Sequence, residues 1–159
     1  MLKYGRLILD NIYYHVISRG NQKQNVFLQE CDFEKYLKLL QRYKRKYKFR
    51  LYAWSLMPNH VHLILDVNKP AELAKIMQGI NLSYARWFNK KYNKVGHLWQ
   101  GRYKSMIMEK DKYVLDCINY IEMNPVRANI KQTPIDYAWT SYRSRVLGAK
   151  TYLLDQPKL

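Results

Sequence analysis

The stretch Phe49-Arg50-Leu51-Tyr52-Ala53-Trp54-Ser55-Leu56-Met57-Pro58-Asn59-His60-Val61-His62-Leu63-Ile64-Leu65-Asp66-Val67 decides the fold. Two apolar, aromatic-rich runs flank a Pro-Asn dipeptide, which reads as two strands, Phe49 to Met57 and His60 to Val67, folded into a hairpin. Side chains alternate across a strand, so His60 and His62 share one face while Val61, Leu63 and Leu65 share the other. Two neutral imidazoles on one stiff element can hold a divalent cation once a third ligand arrives from elsewhere. A His-x-His pair also marks solvated strand faces and hydrogen-bonded histidines. The second strand is otherwise wholly apolar, so polar side chains in it need a reason.

Upstream, Ile12 to Ser18 reads as a first strand that ends in the turn Arg19-Gly20-Asn21. His15 lies within it, as a further ligand or as a packing and hydrogen-bonding residue. Asp32 is the expected N-cap of a helix from Phe33 to about Tyr47, with Phe33, Tyr36, Leu37, Leu40 and Tyr43 at helical spacing. Lys38, Arg42, Lys44, Arg45, Lys46 and Lys48 crowd its other face and last turns, where they suit the helix dipole or a phosphate backbone equally.

Downstream, Pro70 fits the first turn of a long helix whose stripe is Leu73, Ile76, Met77, Ile80, Tyr84, Trp87 and Phe88. The loop Val95 to Ser105 brackets Trp99, Gln100 and Arg102 between Gly96 and Gly101. It reads either as a nucleic-acid contact, with Trp99 as a stacking face, or as a surface loop pinned by one Trp. Tyr103 to Glu109 reads as a fourth strand. A third helix runs from Asp111 to about Asn124, with Val114, Ile118 and Ile121 inward and Pro125 closing it. Tyr120 and Asn124 stand four residues apart and project from a common face. Tyr137 to Arg143 reads as a short helix or docking segment, and residues 149–159 as a flexible tail.

The 159 residues fit one domain, 1–159, with its core at about 12–142. Lys and Arg number 28 against 12 Asp and Glu, a net charge of +16 spread along the whole chain, which favours polyanions such as nucleic acid. The two cysteines, Cys31 and Cys117, lack metal-ligand spacing and read as reduced thiols. No apolar leader and no run of about eighteen apolar residues is present, so the expectation is a cytoplasmic protein with no membrane partner.

Four blocks in order resemble the REP-associated tyrosine transposases of the HUH superfamily: Tyr14-His15-Val16-Ile17-Ser18-Arg19-Gly20-Asn21, Leu56 to His62, Gly96 to Lys104, and Tyr120 to Ala128. The resemblance spans roughly Ile12 to Tyr142. It implies an α+β, ferredoxin-like fold, a central antiparallel sheet with helices packed on it. It further implies a DNA transposase or single-strand endonuclease that cleaves and rejoins DNA at hairpin-forming sequences. In that comparison His60 and His62 match the metal pair and Tyr120 the nucleophile that forms a 5′-phosphotyrosine. Asn124 sits where relatives carry a polar third ligand, often Gln. The expected DNA contacts are Arg19, Asn21, Trp99, Gln100, Arg102, Lys104 and Arg127; Arg127 is equally readable as a solvated helix-end arginine.

Mg²⁺ or Mn²⁺ suits this ligand set better than Zn²⁺, because no thiolate is offered and phosphate oxygens complete the sphere. The expected partner is single-stranded or hairpin DNA, and both monomer and homodimer stay open. Two other classes fit the same residues: a non-catalytic hairpin-binding protein, and a metal-dependent nuclease that uses water in place of tyrosine.

Overall fold

The computed structural model describes residues 12–109, 111–148 and 153–157. The hairpin forms as the alternation requires: β1 is Tyr13–Arg19, β2 Arg50–Met57 and β3 His60–Asp66, with Met57 opposite His60 across the turn. β1 pairs antiparallel with β3 on one side and with β4 (Lys104–Met108) on the other, giving the sheet order β2-β3-β1-β4. Helix α1 (Glu30–Tyr47) links β1 to β2, and α2 (Pro70–Tyr92) links β3 to β4. This βαββαβ order on an antiparallel sheet is the ferredoxin-like α+β arrangement.

Both linking helices cover one face of the sheet. There Val16, Leu51, Leu56, Val61, Leu63 and Leu65 pack against Tyr36, Leu40, Ile76, Ile80 and Tyr84, all at most 1% exposed. The helices cross closely because Gly79 lacks a side chain; a Cβ there would stand 2.3 Å from the Tyr43 ring. α1 starts earlier than the sequence suggests. Gln29 is its N-cap, and Asp32 sits inside the first turn, where its Oδ2 accepts the backbone N–H of Leu28 at 2.8 Å and of Gln29 at 3.0 Å. Asp32 therefore caps from within, and its other oxygen pairs with Lys91 of α2 at 2.7 Å.

The opposite face carries a smaller cluster in which Tyr13, Tyr52, Ala53 and Ile64 meet Val114, Ile118 and Ile121 of α3 (Asp111–Glu122). Pro125 does not close the helical run. α3 ends at Glu122, and after Met123 a further turn, α4 (Asn124–Arg127), carries Pro125 near its start, where the missing N–H has no partner to lose. α3 is held at its end by Glu122, a buried carboxylate that accepts Ser141 Oγ at 2.8 Å and Arg145 Nε at 2.8 Å. Arg145, in α5 (Tyr142–Leu147), also donates to the Tyr52 carbonyl, so β2, α3 and α5 are tied at one point.

The docking segment behaves as expected. Leu56 N–H donates to Trp139 O at 2.8 Å and Ser141 N–H to Trp54 O at 3.0 Å, so residues 139–141 run along the outer edge of β2. The expectation of a flexible tail over 149–159 is corrected for residues 153–157. Leu153 is buried in the main core, and Asp155 donates its N–H to Leu51 O at 2.7 Å while its carboxylate pairs with Lys44 at 2.5 Å. The remaining tail residues lie outside the described ones.

Candidate active site

Residues at odd positions of β1 and even positions of β3 point to the α3 face, which places His15, His60 and His62 together there. His15 and His62 are diagonal neighbours, because Ile17 pairs with His62 and His15 with Ile64. His15 Nε2 lies 2.9 Å from His62 Nδ1, and the two rings stack at 5.2 Å. His62 is thereby turned so that its Nε2 is the nitrogen available as a ligand. His60 makes the same choice by a different route: its Nδ1 lies 2.7 Å from Asn59 Oδ1, leaving Nε2 as an acceptor. The His60 and His62 rings stand 5.0 Å apart, nearly perpendicular. Burial, then the nearby Arg19, lowers the His60 pKa to about 4; burial, His60, His15 and the arginines lower that of His62 to about 3. Both rings are therefore neutral at pH 7.

Asn124 comes to His60 across the sheet face. Its Nδ2 donates to His60 Nε2 at 3.3 Å, and its Oδ1 accepts Arg127 Nη2 at 3.0 Å. The Arg127 guanidinium in turn lies over the Tyr120 ring, 3.7 Å from its centroid. A continuous chain of contacts therefore runs Tyr120, Arg127, Asn124, His60, Asn59. Tyr120 itself is 53% exposed on α3, beside the buried Ile121, so its ring stands at the border of the core and open to solvent.

The basic residues expected to meet DNA divide. Arg19, Gln100, Arg102 and Lys104 converge with Ile17 on one notch of about 160 Å³ beside the imidazoles. Backbone bonds hold that grouping: Gln100 N–H donates to Arg19 O and Asn21 N–H to Leu98 O, both at 2.8 Å. Asn21 is half-buried in the turn behind the notch. Trp99 is not a stacking face. It is 9% exposed, its indole N–H donates to Asn81 O at 3.0 Å, and its ring lies against Tyr36 and Tyr84. The loop is pinned by a Trp anchor, and only an edge of that ring reaches a neighbouring groove.

The donor set fits a divalent cation. His60 and His62 present neutral imidazoles, Asn124 an amide, and the buried Ser55 hydroxyl, paired across β2 and β3 with His62, has no hydrogen-bond partner among the described residues. No group of three or more His, Cys, Asp or Glu side chains that could hold a metal gathers among the described residues. Sequence reasoning left open the hydrogen-bonding role of His15 and did not find that of Asn59. The period-two alternation of β1 was the signal for the first; the second rests on a turn geometry that sequence does not carry.

The family model for IS200-like transposases matches residues 8–124 of this chain. A Haemophilus influenzae protein described as a REP-associated tyrosine transposase is 28% identical over 120 residues, which is 69% of this chain and 67% of that protein. A REP-associated tyrosine transposase solved with a REP hairpin superposes with a TM-score of 0.71 at 18% identity, over 99% of this chain and 93% of its own. A Deinococcus radiodurans protein described as a transposase superposes at 0.53 with 20% identity, over 76% of this chain and 96% of its own. Yeast tRNA(His) guanylyltransferase reaches the same 0.53 at 13% identity, over 74% of this chain and 59% of its own. That last likeness shows the sheet and its helices serving a different chemistry, so the architecture alone does not name a reaction.

Proposed function

Because this chain belongs to the IS200-like transposase family, we propose that it cleaves and rejoins single-stranded DNA beside hairpins, with Tyr120 as nucleophile. The observation that carries this reading is the contact chain from the exposed Tyr120 ring through Arg127 and Asn124 to His60. The protein solved with a bound REP hairpin supports hairpin DNA as the partner.

The notch of Arg19, Arg102 and Lys104 and the guanidinium of Arg127 hold the backbone on either side of the scissile phosphate. His60, His62 and Asn124 would hold Mg²⁺ or Mn²⁺, whose charge, when bound, polarises a non-bridging oxygen and offsets negative charge developing in the transition state. Tyr120 Oη bonds to phosphorus as the bond to the 3′ oxygen breaks, and the phenol proton ends, by way of solvent, on the departing 3′ hydroxyl. The strand stays on the enzyme as a 5′-phosphotyrosine. A second 3′ hydroxyl reverses the step and joins a new strand without ATP.

Asn124 occupies the His60 lone pair that a cation needs. To serve as a ligand, the Asn124 amide would have to turn over and offer the Oδ1 that now accepts Arg127.

The test is a denaturing gel of protein mixed with a hairpin oligonucleotide carrying single-stranded flanks and Mn²⁺. A covalent protein–DNA band is expected from the native protein and none from Tyr120→Phe. Cleaved product without a band would instead favour water as nucleophile, and hairpin binding without cleavage a non-catalytic module.

A further inference from the structure

We propose that Ser55 is a positioning residue for the cation site, its hydroxyl donating a hydrogen bond to a water bound to the ion that His60 and His62 would hold. The proposal rests on the metal-assisted reaction above and adds to it a residue that the three side-chain ligands do not include.

The starting observation is an orphaned polar atom. Ser55 is 0% exposed in β2, and its Oγ has no hydrogen-bond partner among the described residues. A buried hydroxyl without a partner destabilises a fold, so it calls for a reason.

The register says where that hydroxyl lies. Ser55 stands directly opposite His62, with Ala53 opposite Ile64 and Met57 opposite His60. Directly opposed residues share a face, which puts Ser55 on the α3 face with the imidazoles. Its neighbours along β2 on that face, Ala53 and Met57, are apolar and buried. The polar side chain beside it in the sheet is therefore His62.

Polar groups at the outer edge of β2 are committed elsewhere. Ser141 Oγ donates to Glu122 Oε1 at 2.8 Å and accepts the Trp54 N–H at 3.1 Å. Glu122 Oε1 also accepts Arg145 Nε. Thr140, bridged to Ser55 through the backbone, accepts the Tyr142 N–H on its Oγ1 at 3.3 Å.

His62 presents the matching gap. Its Nδ1 is occupied by His15 Nε2 at 2.9 Å, which leaves Nε2 as the open nitrogen, and Ser55 does not close that gap itself. An open imidazole nitrogen and an unused hydroxyl side by side are satisfied together by a cation on the nitrogen and its water on the hydroxyl. Mg²⁺ and Mn²⁺ favour oxygen, and Mg²⁺ in particular keeps several waters when bound. A serine bonded to Nε2 would compete with the ion; one that bonds the water orients it.

The experiment titrates Mn²⁺ into the full chain without DNA, reading free ion by electron paramagnetic resonance, for native protein and Ser55→Ala. The thermal midpoint of each is also taken without metal. Loss of the hydroxyl is expected to weaken Mn²⁺ binding about tenfold. Because the same change removes an unpaired buried group, it should also raise the metal-free midpoint, by about 2–4 °C. A serine that serves only the fold moves neither quantity in that direction. Unchanged Mn²⁺ affinity in Ser55→Ala overturns the proposal, and so does a lowered metal-free midpoint, which would show the hydroxyl partnered within the protein. If the native protein takes up no Mn²⁺, the cation reading itself falls and this one with it, a failure visible before any variant is made.

Discussion

The two faces of the sheet are built from the same strands and do opposite work. On the α1 and α2 side, Val61, Leu63 and Leu65 disappear into a continuous apolar core. On the α3 side, one residue along, His60 and His62 stand among polar partners next to a cluster of seven buried residues among the described ones. The difference teaches that period-two alternation lets this small chain separate its main core from the proposed site by a single step along β3. Neighbouring positions should therefore fail in different assays.

The sharpest break of that comparison uses adjacent residues. His62→Ala should abolish Mn²⁺ binding and adduct formation at a smaller cost in thermal midpoint than Leu63→Ala. Leu63→Ala should cost roughly 2–5 kcal/mol of stability. At about 2–4 °C per kcal/mol for a domain of this size, calorimetry would read a clear drop, with adduct formation per folded molecule retained below the new midpoint. Equal stability losses from both would show that the faces are not separated.

A finer cut lies within the polar face. His15 touches no substrate in the proposed reaction and acts through His62, so His15→Phe should weaken Mn²⁺ affinity roughly 10–100-fold with little change in folding. His15→Gln, which can still accept the His62 Nδ1 proton, should recover part of that loss. Titration of Mn²⁺ against each variant reads the effect directly, and identical affinities for Phe and native would mean His15 only fills space.

Acid should distinguish the faces too. His60 and His62 fall from an ordinary 6.5 to about 4 and about 3, chiefly through burial. The unfolded chain thus binds protons that the folded one refuses, and stability present above pH 6.5 is lost progressively as pH falls toward 4. The urea midpoint of metal-free protein should decline across that window, and less so in His60→Phe/His62→Phe. The smallest expected effect is at the notch: Arg102→Ala should lower the slope of log affinity against log salt by about one, uniformly across DNA sequences.

Much of this was legible in the chain. The four strands, the two long helices and the shared face of His60 and His62 follow from alternation and helical spacing, because burial on one side imposes the pattern locally. Trp99 misled because an aromatic in a basic, glycine-hinged loop looks available. Its burial is set by Tyr36, Asn81 and Tyr84, which are remote in sequence and unsignalled there. Asp155 was unreadable for the same reason: its partners Lys44 and Leu51 are about a hundred positions away. The Tyr120 and Asn124 pairing was visible as a spacing of four. The restart of the helix after Met123 was not, since Pro125 reads equally as a stop or as a first-turn residue.

The buried Glu122 clamp closes α3 two residues after Tyr120 and two residues before Asn124 opens α4. It is a fulcrum with the proposed nucleophile on one arm and the proposed amide ligand on the other. In the proposed reaction, a tilt of α3 that withdrew Tyr120 would also shift Asn124, so strand release and loss of the amide ligand would be coupled.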